Sequence, residues 1–349
     1  MKSNSVRIAI VGLRHGVEHL DHYRGRPDVE TVGICDASSS LLRQVGKSYG
    51  VAPSGQFTDY QEMLRQAKPD AVFVMTPVPF HASMTIQALE AGCHVLVAKS
   101  LCRTLKEGEA MLRARDEAGK KVEIGFQMHY APIYRHVIEH LSDANFGEVR
   151  GAWIQFFSPS YILEKGHWQN RMETMGGALL DCSIHSMDVL LYVLGRPWKR
   201  VFASGRQLLE GPQDRDTLDA ATVLIDLDNG VRVTLDFMDS HASFYVRTGI
   251  VGSRGKFEIE HWDPNGSGHV RFHFDSSTKK PVRVWVPPKE ASTGHIGIVE
   301  ESLHFLDVCK GVAEPRSTLE SALESLSAQQ AIIASLRSGT WTPREEIFA

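Results

Sequence analysis

The stretch that decides the fold is VRIAIVGLRHG, running from Val6 to Gly16. Val6 to Val11 is a near-continuous apolar run of the kind found in strands buried on both faces of a parallel sheet. Gly12 then marks a tight turn into sequence of helical character. A glycine-rich turn between a first strand and a first helix lets the backbone approach a pyrophosphate at the helix N-terminus. Gly12 fits the first position of the GxGxxG fingerprint, but Arg14 and Val17 stand at the second and third. The loop Gly12-Leu13-Arg14-His15-Gly16 therefore reads GxxxG, and taken alone a plain tight turn accounts for it equally well.

Outward from this turn the apolar run recurs at Thr31 to Cys35, Ala71 to Met75, His94 to Val97 and Lys121 to Gly125, with helical stretches between. Thr58-Asp59-Tyr60-Gln61 and Thr104-Leu105-Lys106-Glu107 read as capping boxes. Pro79 suits the first residue of a helix to about Ala91, which Gly92 ends. Such a βαβ series predicts a doubly wound parallel sheet in an α/β chain. Asp36 closes the second strand, where a carboxylate accepts the ribose hydroxyls of NAD and repels the 2′-phosphate of NADP. Arg14 or Arg43 would offset that repulsion, so NAD(H) is the preferred cofactor and NADP(H) the second. Carboxyl ends of parallel strands line the ligand crevice. Lys99, Thr76 and Pro77 fall at such ends, with His81 just beyond; a solvated loop lysine is the alternative for Lys99.

After Gly125 the pattern changes. A helix (about Pro132 to Leu141) leads through Gly147 to a strand from Val149 to Phe157. Asp228-Asn229-Gly230 signals a hairpin between Ala221–Leu227 and Val231–Phe237. Gly252 to Gly255 and Asp263-Pro264-Asn265-Gly266 mark further turns. The box Ser317-Thr318-Leu319-Glu320 opens a closing helix to Leu336. At 349 residues the chain exceeds what one core usually supports. The expected domains are 1–126, binding nucleotide, and 127–349, an α+β domain with a large, mostly antiparallel open sheet.

Chemistry concentrates in Gly176 to Asp188, GGALLDCSIHSMD. Read as one helix, it carries Asp181, His185 and Asp188 at i, i+4 and i+7, on one face. A carboxylate and an imidazole one turn apart suit general acid–base work, because imidazole titrates near neutrality. A helix with a polar stripe is the alternative. The loop Gly166-His167-Trp168-Gln169-Asn170-Arg171 offers a polar–aromatic surface for stacking on a sugar, or simply packs as a loop. Gln127, His129 and Tyr130 follow the last parallel strand, where side chains reach the cleft. His241, His261 and His295 carry no usable spacing. His15-Gly16-Val17-Glu18-His19 matches the HxxEH pattern of one metallopeptidase class. That reading requires a stable helix, whereas this motif is expected to straddle the strand–turn–helix junction, so no metal role is expected.

Net charge is −4 without a basic block, which argues against nucleic acid or an anionic membrane as partner. The five cysteines are odd in number, scattered and free of CxxC pairs, as in a reducing compartment without a zinc cluster or disulfide frame. The first residues show no secretory pattern and the apolar runs fall short of a membrane span, so a cytoplasmic location is expected.

Taken in order, Thr76-Pro77 with His81, the run Ala88 to Leu96 with Lys99, Gly125-Phe126, Gly147-Glu148-Val149, and Gly176 to Asp181 with His185 and Asp188 resemble the glucose–fructose oxidoreductase/inositol dehydrogenase (Gfo/Idh/MocA) family. Gly252 and Gly255 before a strand fit it too, and the likeness spans nearly the whole chain. The resemblance implies a Rossmann domain and a C-terminal domain whose open sheet serves in homo-oligomers, dimers or tetramers. It implies hydride transfer between NAD(P) and a hydroxyl-bearing carbon of a sugar, cyclitol or related polyol. Carried over by position, Lys99 matches the lysine that hydrogen-bonds the reacting oxygen, His185 the residue that exchanges the hydroxyl proton, and Asp181 the carboxylate that orients substrate. The chain departs from the family where Ala98-Lys99-Ser100 replaces Glu-Lys-Pro and where Val78 replaces the Asn after Thr-Pro. Those departures keep two alternatives open: a redox-neutral lyase or glycosidase with retained NAD, and a non-catalytic ligand-binding relative.

Overall fold

The structure, a computed structural model, describes residues 5–142, 144, 146–159, 164–239, 244–261, 268–273, 283–286 and 297–348. They divide into two units, Met1–Gly125 with Val299–Leu323, and Phe126–Ile298 with Glu324–Ala349. The turn at Asp263 to Gly266, His241, His295 and the side chain of His261 lie outside the described residues.

The first unit alternates β1 (Val6–Val11), α1 (Leu13–Tyr23), β2 (Val29–Cys35), α2 (Ser39–Tyr49), β3 (Gln56–Phe57), α3 (Tyr60–Ala67), β4 (Ala71–Val74), α4 (His81–Glu90), β5 (His94–Ala98), α5 (Leu105–Ala118) and β6 (Val122–Gly125). Its six parallel strands follow the order β3-β2-β1-β4-β5-β6. That order reverses between β1 and β4, which opens a crevice at the carboxyl ends of both strands. Every residue of β4 is buried, as expected for a strand covered on both faces. The core gathers Ile8, Ile10, Ile34, Phe73 and Leu96. The two-residue edge strand β3 carries no periodicity and escapes sequence reading.

Three local expectations shift. The cap before α3 is Asp59, whose carboxylate accepts Glu62 N–H at 2.7 Å, one residue beyond the expected Thr58. Pro79 sits inside a 3₁₀ turn, Val78–Phe80, and α4 begins only at His81. His15 to His19 lies wholly within α1 rather than across its junction.

The second unit opens with α6 (Pro132–Leu141), β7 (Val149–Ser158) and α7 (Ile184–Leu194). Then come β8 (Trp198–Arg206), β9 (Ala220–Leu227), β10 (Arg232–Asp239), β11 (Tyr245–Gly252), β12 (Lys256–His261), β13 (Gly268–His273) and β14 (Arg283–Trp285). After α8 (Ile298–Cys309), the chain ends with α9 (Leu319–Ser338), β15 (Thr342–Pro343) and α10 (Arg344–Phe348). The nine-stranded sheet runs β14-β13-β12-β11-β7-β10-β9-β8-β15. Its pairings are antiparallel except for β7 with β10. The β9–β10 hairpin turns where expected, with Gly230 at φ 83° and Leu227 N–H donating to Val231 O at 2.8 Å. Along β7 the buried Ala152, Ile154 and Phe156 alternate with the part-exposed Trp153, Gln155 and Phe157, so one sheet face is covered and the other open. Helix α9 lines the covered face through Ser327, which accepts Trp198 Nε1–H at 2.9 Å, and Ser335, which accepts Ala203 N–H at 2.9 Å.

Residues 299–323 pack with the first unit, although by sequence they follow the second. Tyr23 Oη donates to Ser302 O at 2.6 Å, and Phe305 meets Phe73 edge-on at 5.3 Å. Ile124 N–H donates to Ser317 O at 3.0 Å. Among the described residues no single helix is long and apolar enough to cross a membrane.

Candidate functional site

In the first unit the turn after β1 requires glycine at two positions. Gly12 has φ 88°, and a Cβ there would stand 2.3 Å from Met75 O, so both backbone and space exclude a side chain. A Cβ on Gly16 would fall 2.5 Å from Ile10 Cγ2. Gly16 therefore brings α1 close to β1, the task of the fingerprint's third glycine performed one residue early. Asp36 fixes this loop: Oδ2 accepts Leu13 N–H at 2.9 Å and Oδ1 accepts Ser38 N–H at 2.8 Å. Arg14 and His15 are exposed on the first turn of α1. A glycine cradle beside a helix N-terminus and an acidic strand end suits a dinucleotide's pyrophosphate and ribose.

Thr76, His81 and the peptide after Lys99 are joined. The His81 imidazole is fully buried, with Nδ1 2.8 Å from Ser100 O and Nε2 2.6 Å from Thr76 O. Rather than offering its ring to a cofactor, His81 ties the loop after β4 to the loop after β5. Pro77 leads from Thr76 into the 3₁₀ turn, and Lys99, part-exposed, leaves β5 through a cis Lys99–Ser100 peptide.

In the second unit the expected single helix from Gly176 is two pieces. Ala178–Cys182 winds as a π-helix, with Ser183 N–H donating to Ala178 O at 2.9 Å, and α7 begins at Ile184. The segments Met172–Cys182 and Ile184–Leu194 meet at 71°. Wider winding and the bend cancel the simple i, i+4, i+7 face, and single π turns of this kind gather at functional sites. Asp181 is 7% exposed, and its Oδ2 accepts Gln169 Nε2–H at 2.7 Å. Gln169 belongs to the polar–aromatic loop, where His167 Nδ1 accepts Gln169 N–H at 3.3 Å and His167 stacks on Trp168 at 6.1 Å. The loop approaches because Gly176 is bare: a Cβ there would meet Gln169 Cα at 2.5 Å. His185 is part-exposed and meets the ring of Phe126 edge-on at 6.2 Å.

Of the three residues after the parallel sheet, Gln127 alone keeps part of its surface. Tyr130 and His129 are each 1% exposed, so they build the unit rather than a substrate surface. His129 pairs with Asp188, which is drawn inward and is more deeply buried than Asp181 and His185. Sequence reading passed over Gln169 as a partner of Asp181; the signal was its place between Trp168 and Asn170. Lys99 belongs to the first unit, Asp181 and His185 to the second.

Two family models match the chain: an oxidoreductase family with an NAD-binding Rossmann fold over residues 6–126, and the GFO/IDH/MocA C-terminal domain over residues 134–258. The chain is 26% identical to scyllo-inositol 2-dehydrogenase (NAD(+)) of Bacillus subtilis over 345 residues, 96% of this chain and 95% of that one. It is 32% identical to D-glucoside 3-dehydrogenase of Escherichia coli over 199 residues, a match spanning 56% of each chain. In fold it matches the aldose–aldose oxidoreductase of Caulobacter crescentus with a TM-score of 0.82, at 20% identity, over 97% of this chain and 99% of that one. With both domains matched in order, this chain belongs to the GFO/IDH/MocA family of NAD(P)-binding sugar and cyclitol oxidoreductases.

Proposed function

We propose that the protein oxidises a hydroxyl-bearing carbon of a sugar, cyclitol or related polyol, or reduces the corresponding ketone, with NAD(H) preferred over NADP(H). The loop at Gly12 and Gly16 would hold the dinucleotide, with Asp36 turned to its ribose. Bound nicotinamide supplies the hydride acceptor or donor. His185 takes the hydroxyl proton as hydride leaves carbon, and returns it in the reverse direction. The Lys99 ammonium stabilises the developing alkoxide, and Asp181 orients the substrate hydroxyls. The observation that carries this reading is the Gln169–Asp181 hydrogen bond of 2.7 Å, which fixes a carboxylate on the π turn leading to His185. His167 and Trp168, on the same loop as Gln169, supply a face for the ring of a polyol. The open face of the nine-stranded sheet, with Trp153, Gln155 and Phe157, is the surface we assign to homo-oligomer formation.

The test is a titration with NAD⁺, NADH, NADP⁺ and NADPH, read by thermal stabilisation and tryptophan fluorescence, then turnover on sugars and cyclitols. Tighter binding of the NAD pair and turnover by nicotinamide absorbance are expected. Protein free of retained nucleotide that binds none of the four would overturn the reading. Retained cofactor with turnover but no net absorbance change would replace it with redox-neutral lyase or glycosidase chemistry.

A further inference from the structure

We propose that His136, Glu139 and His140, on one face of α6, form a binding site for a first-row divalent cation of the zinc type. The pattern His136-Val137-Ile138-Glu139-His140 repeats the HxxEH spacing of His15 to His19, but the outcome differs. In α1 the second histidine turns inward, where His19 Nδ1 meets Ser302 Oγ at 2.8 Å. In α6 one ligand atom from each of the three side chains lies within 4.8 Å of the other two. Residues i, i+3 and i+4 of a regular helix share a face, and α6 is regular from Pro132 to Leu141.

Two further observations prepare the imidazoles. His140 Nδ1–H donates to His136 O at 2.8 Å, which leaves Nε2 as the nitrogen with a lone pair. A backbone acceptor on the far nitrogen is the usual device for fixing the tautomer of a metal-bound histidine. His136 is stacked on Trp285 at 4.4 Å and 16°, with Phe272 edge-on at 5.3 Å. Its Nε2 is enclosed and has no hydrogen-bond partner among the described residues. Phe272 on β13 and Trp285 on β14 thus wall one side, while Glu139 is exposed on the other. Arg283 adds positive charge nearby and Glu139 offsets it.

Two imidazoles and one carboxylate suit zinc, with a fourth, open position for water. Bonds of about 2.0–2.1 Å in a tetrahedron place ligand atoms roughly 3.4 Å apart, which small side-chain rotations reach from the observed spacing. The carboxylate serves here as a ligand. This site shares no residue with the proposed hydride chemistry, so either can fail without the other.

The experiment uses untagged, full-length protein stripped with EDTA, titrated with ZnCl₂ by calorimetry and with CoCl₂ by visible absorption. One equivalent of Zn²⁺ with affinity on the order of micromolar is expected, together with the intense absorption of tetrahedral Co²⁺. Glu139→Gln, on an exposed side chain, should weaken Zn²⁺ at least about tenfold, and His140→Gln more. The double variant His136→Gln/His140→Gln should lose the Co²⁺ spectrum, with circular dichroism checking its fold. Absence of saturable binding at micromolar Zn²⁺ would overturn the proposal. So would unchanged affinity in folded His140→Gln and Glu139→Gln.

Discussion

His129 Nε2–H donates to Asp188 Oδ2 over 2.5 Å, with the two side chains only 0% and 3% exposed. Ser325 Oγ donates to the other carboxylate oxygen at 2.6 Å, and the imidazole stacks on Tyr192 at 3.9 Å. One carboxylate thus knits the 3₁₀ turn at Gln127–His129 to α7 and α9. Removing the carboxylate leaves the buried donors of His129 and Ser325 without their acceptor, which costs about 1–3 kcal/mol for each group left unsatisfied. Asp188→Ala should therefore lower the denaturation midpoint sharply, while Asp188→Asn, which keeps an acceptor for His129, should cost clearly less. Equal midpoints for Asp188→Ala and wild type in urea unfolding would show that the pair holds nothing together.

His185 tests the proton-transfer assignment. His185→Ala should reduce kcat by about 10²–10⁴-fold, the usual worth of a positioned acid–base group. Binding of NAD(H), which the proposed function assigns to the loop at Gly12, should be nearly unchanged by tryptophan fluorescence. Gln169→Ala removes the hydrogen bond to Asp181. It should raise KM more than it lowers kcat, since it frees the orienting carboxylate without touching the proton path. Wild-type kcat in His185→Ala would move proton transfer to another group.

The proposed function gives Asp36 a second purpose beside its loop hydrogen bonds, and one pair of variants separates the two. Its carboxylate accepts the Leu13 and Ser38 amides at 2.9 and 2.8 Å, and its charge opposes a 2′-phosphate. Asp36→Asn keeps an acceptor for the loop and drops the charge. It should therefore shift the NAD/NADP affinity ratio toward NADP by about tenfold, roughly 1.4 kcal/mol. Asp36→Ala should also weaken NAD itself, because the turn loses its tether. An unchanged ratio in both variants would remove Asp36 from cofactor selection.

What could be read from residues alone was local. The buried strands announce themselves as apolar runs, α6 as a helix opened by Pro132, and the β9–β10 hairpin by Asp228-Asn229-Gly230. The place of Lys99 just past a strand end, and of Asp181 and His185 on a helical stretch, was legible from the pattern. Illegible were features set by direction or by distant contact. A 3.6-residue pattern carries no trace of the extra residue that winds Ala178–Cys182 as a π turn, and so Asp188 was placed with the wrong neighbours. Nor does spacing say that Gly16 makes the close approach usually made by a later glycine. Two HxxEH motifs read alike, yet His19 faces Ser302 and Phe73 while His136 faces Trp285. The return of residues 299–323 to the first unit depends on contacts such as Tyr23 with Ser302, remote in sequence.

The helix that returns, α8, brings two acidic groups near each other and makes the first unit sensitive to pH. Glu301 is 2% exposed and Glu123 fully buried, with His304 Nδ1 3.1 Å from Glu123 Oε1. Burial, with the Glu123 charge adding to it, pushes the Glu301 carboxyl well above the usual carboxylate range. The folded state then keeps a proton that the unfolded state releases above about pH 4.5. Stability from this group is fully present below that pH and is lost as pH rises through the folded value. Nearby, burial and then the His22 charge push His19 down to about 3 from 6.5, so its contribution falls in the opposite direction, on the acid side. Glu301→Gln removes the first effect and leaves the second in both proteins. The difference in Tm between variant and wild type should be small near pH 4.5 and should grow to about 2–4 °C by about pH 8. A difference curve that is flat in pH, or that shrinks as pH rises, would show that Glu301 does not hold its proton in the folded protein.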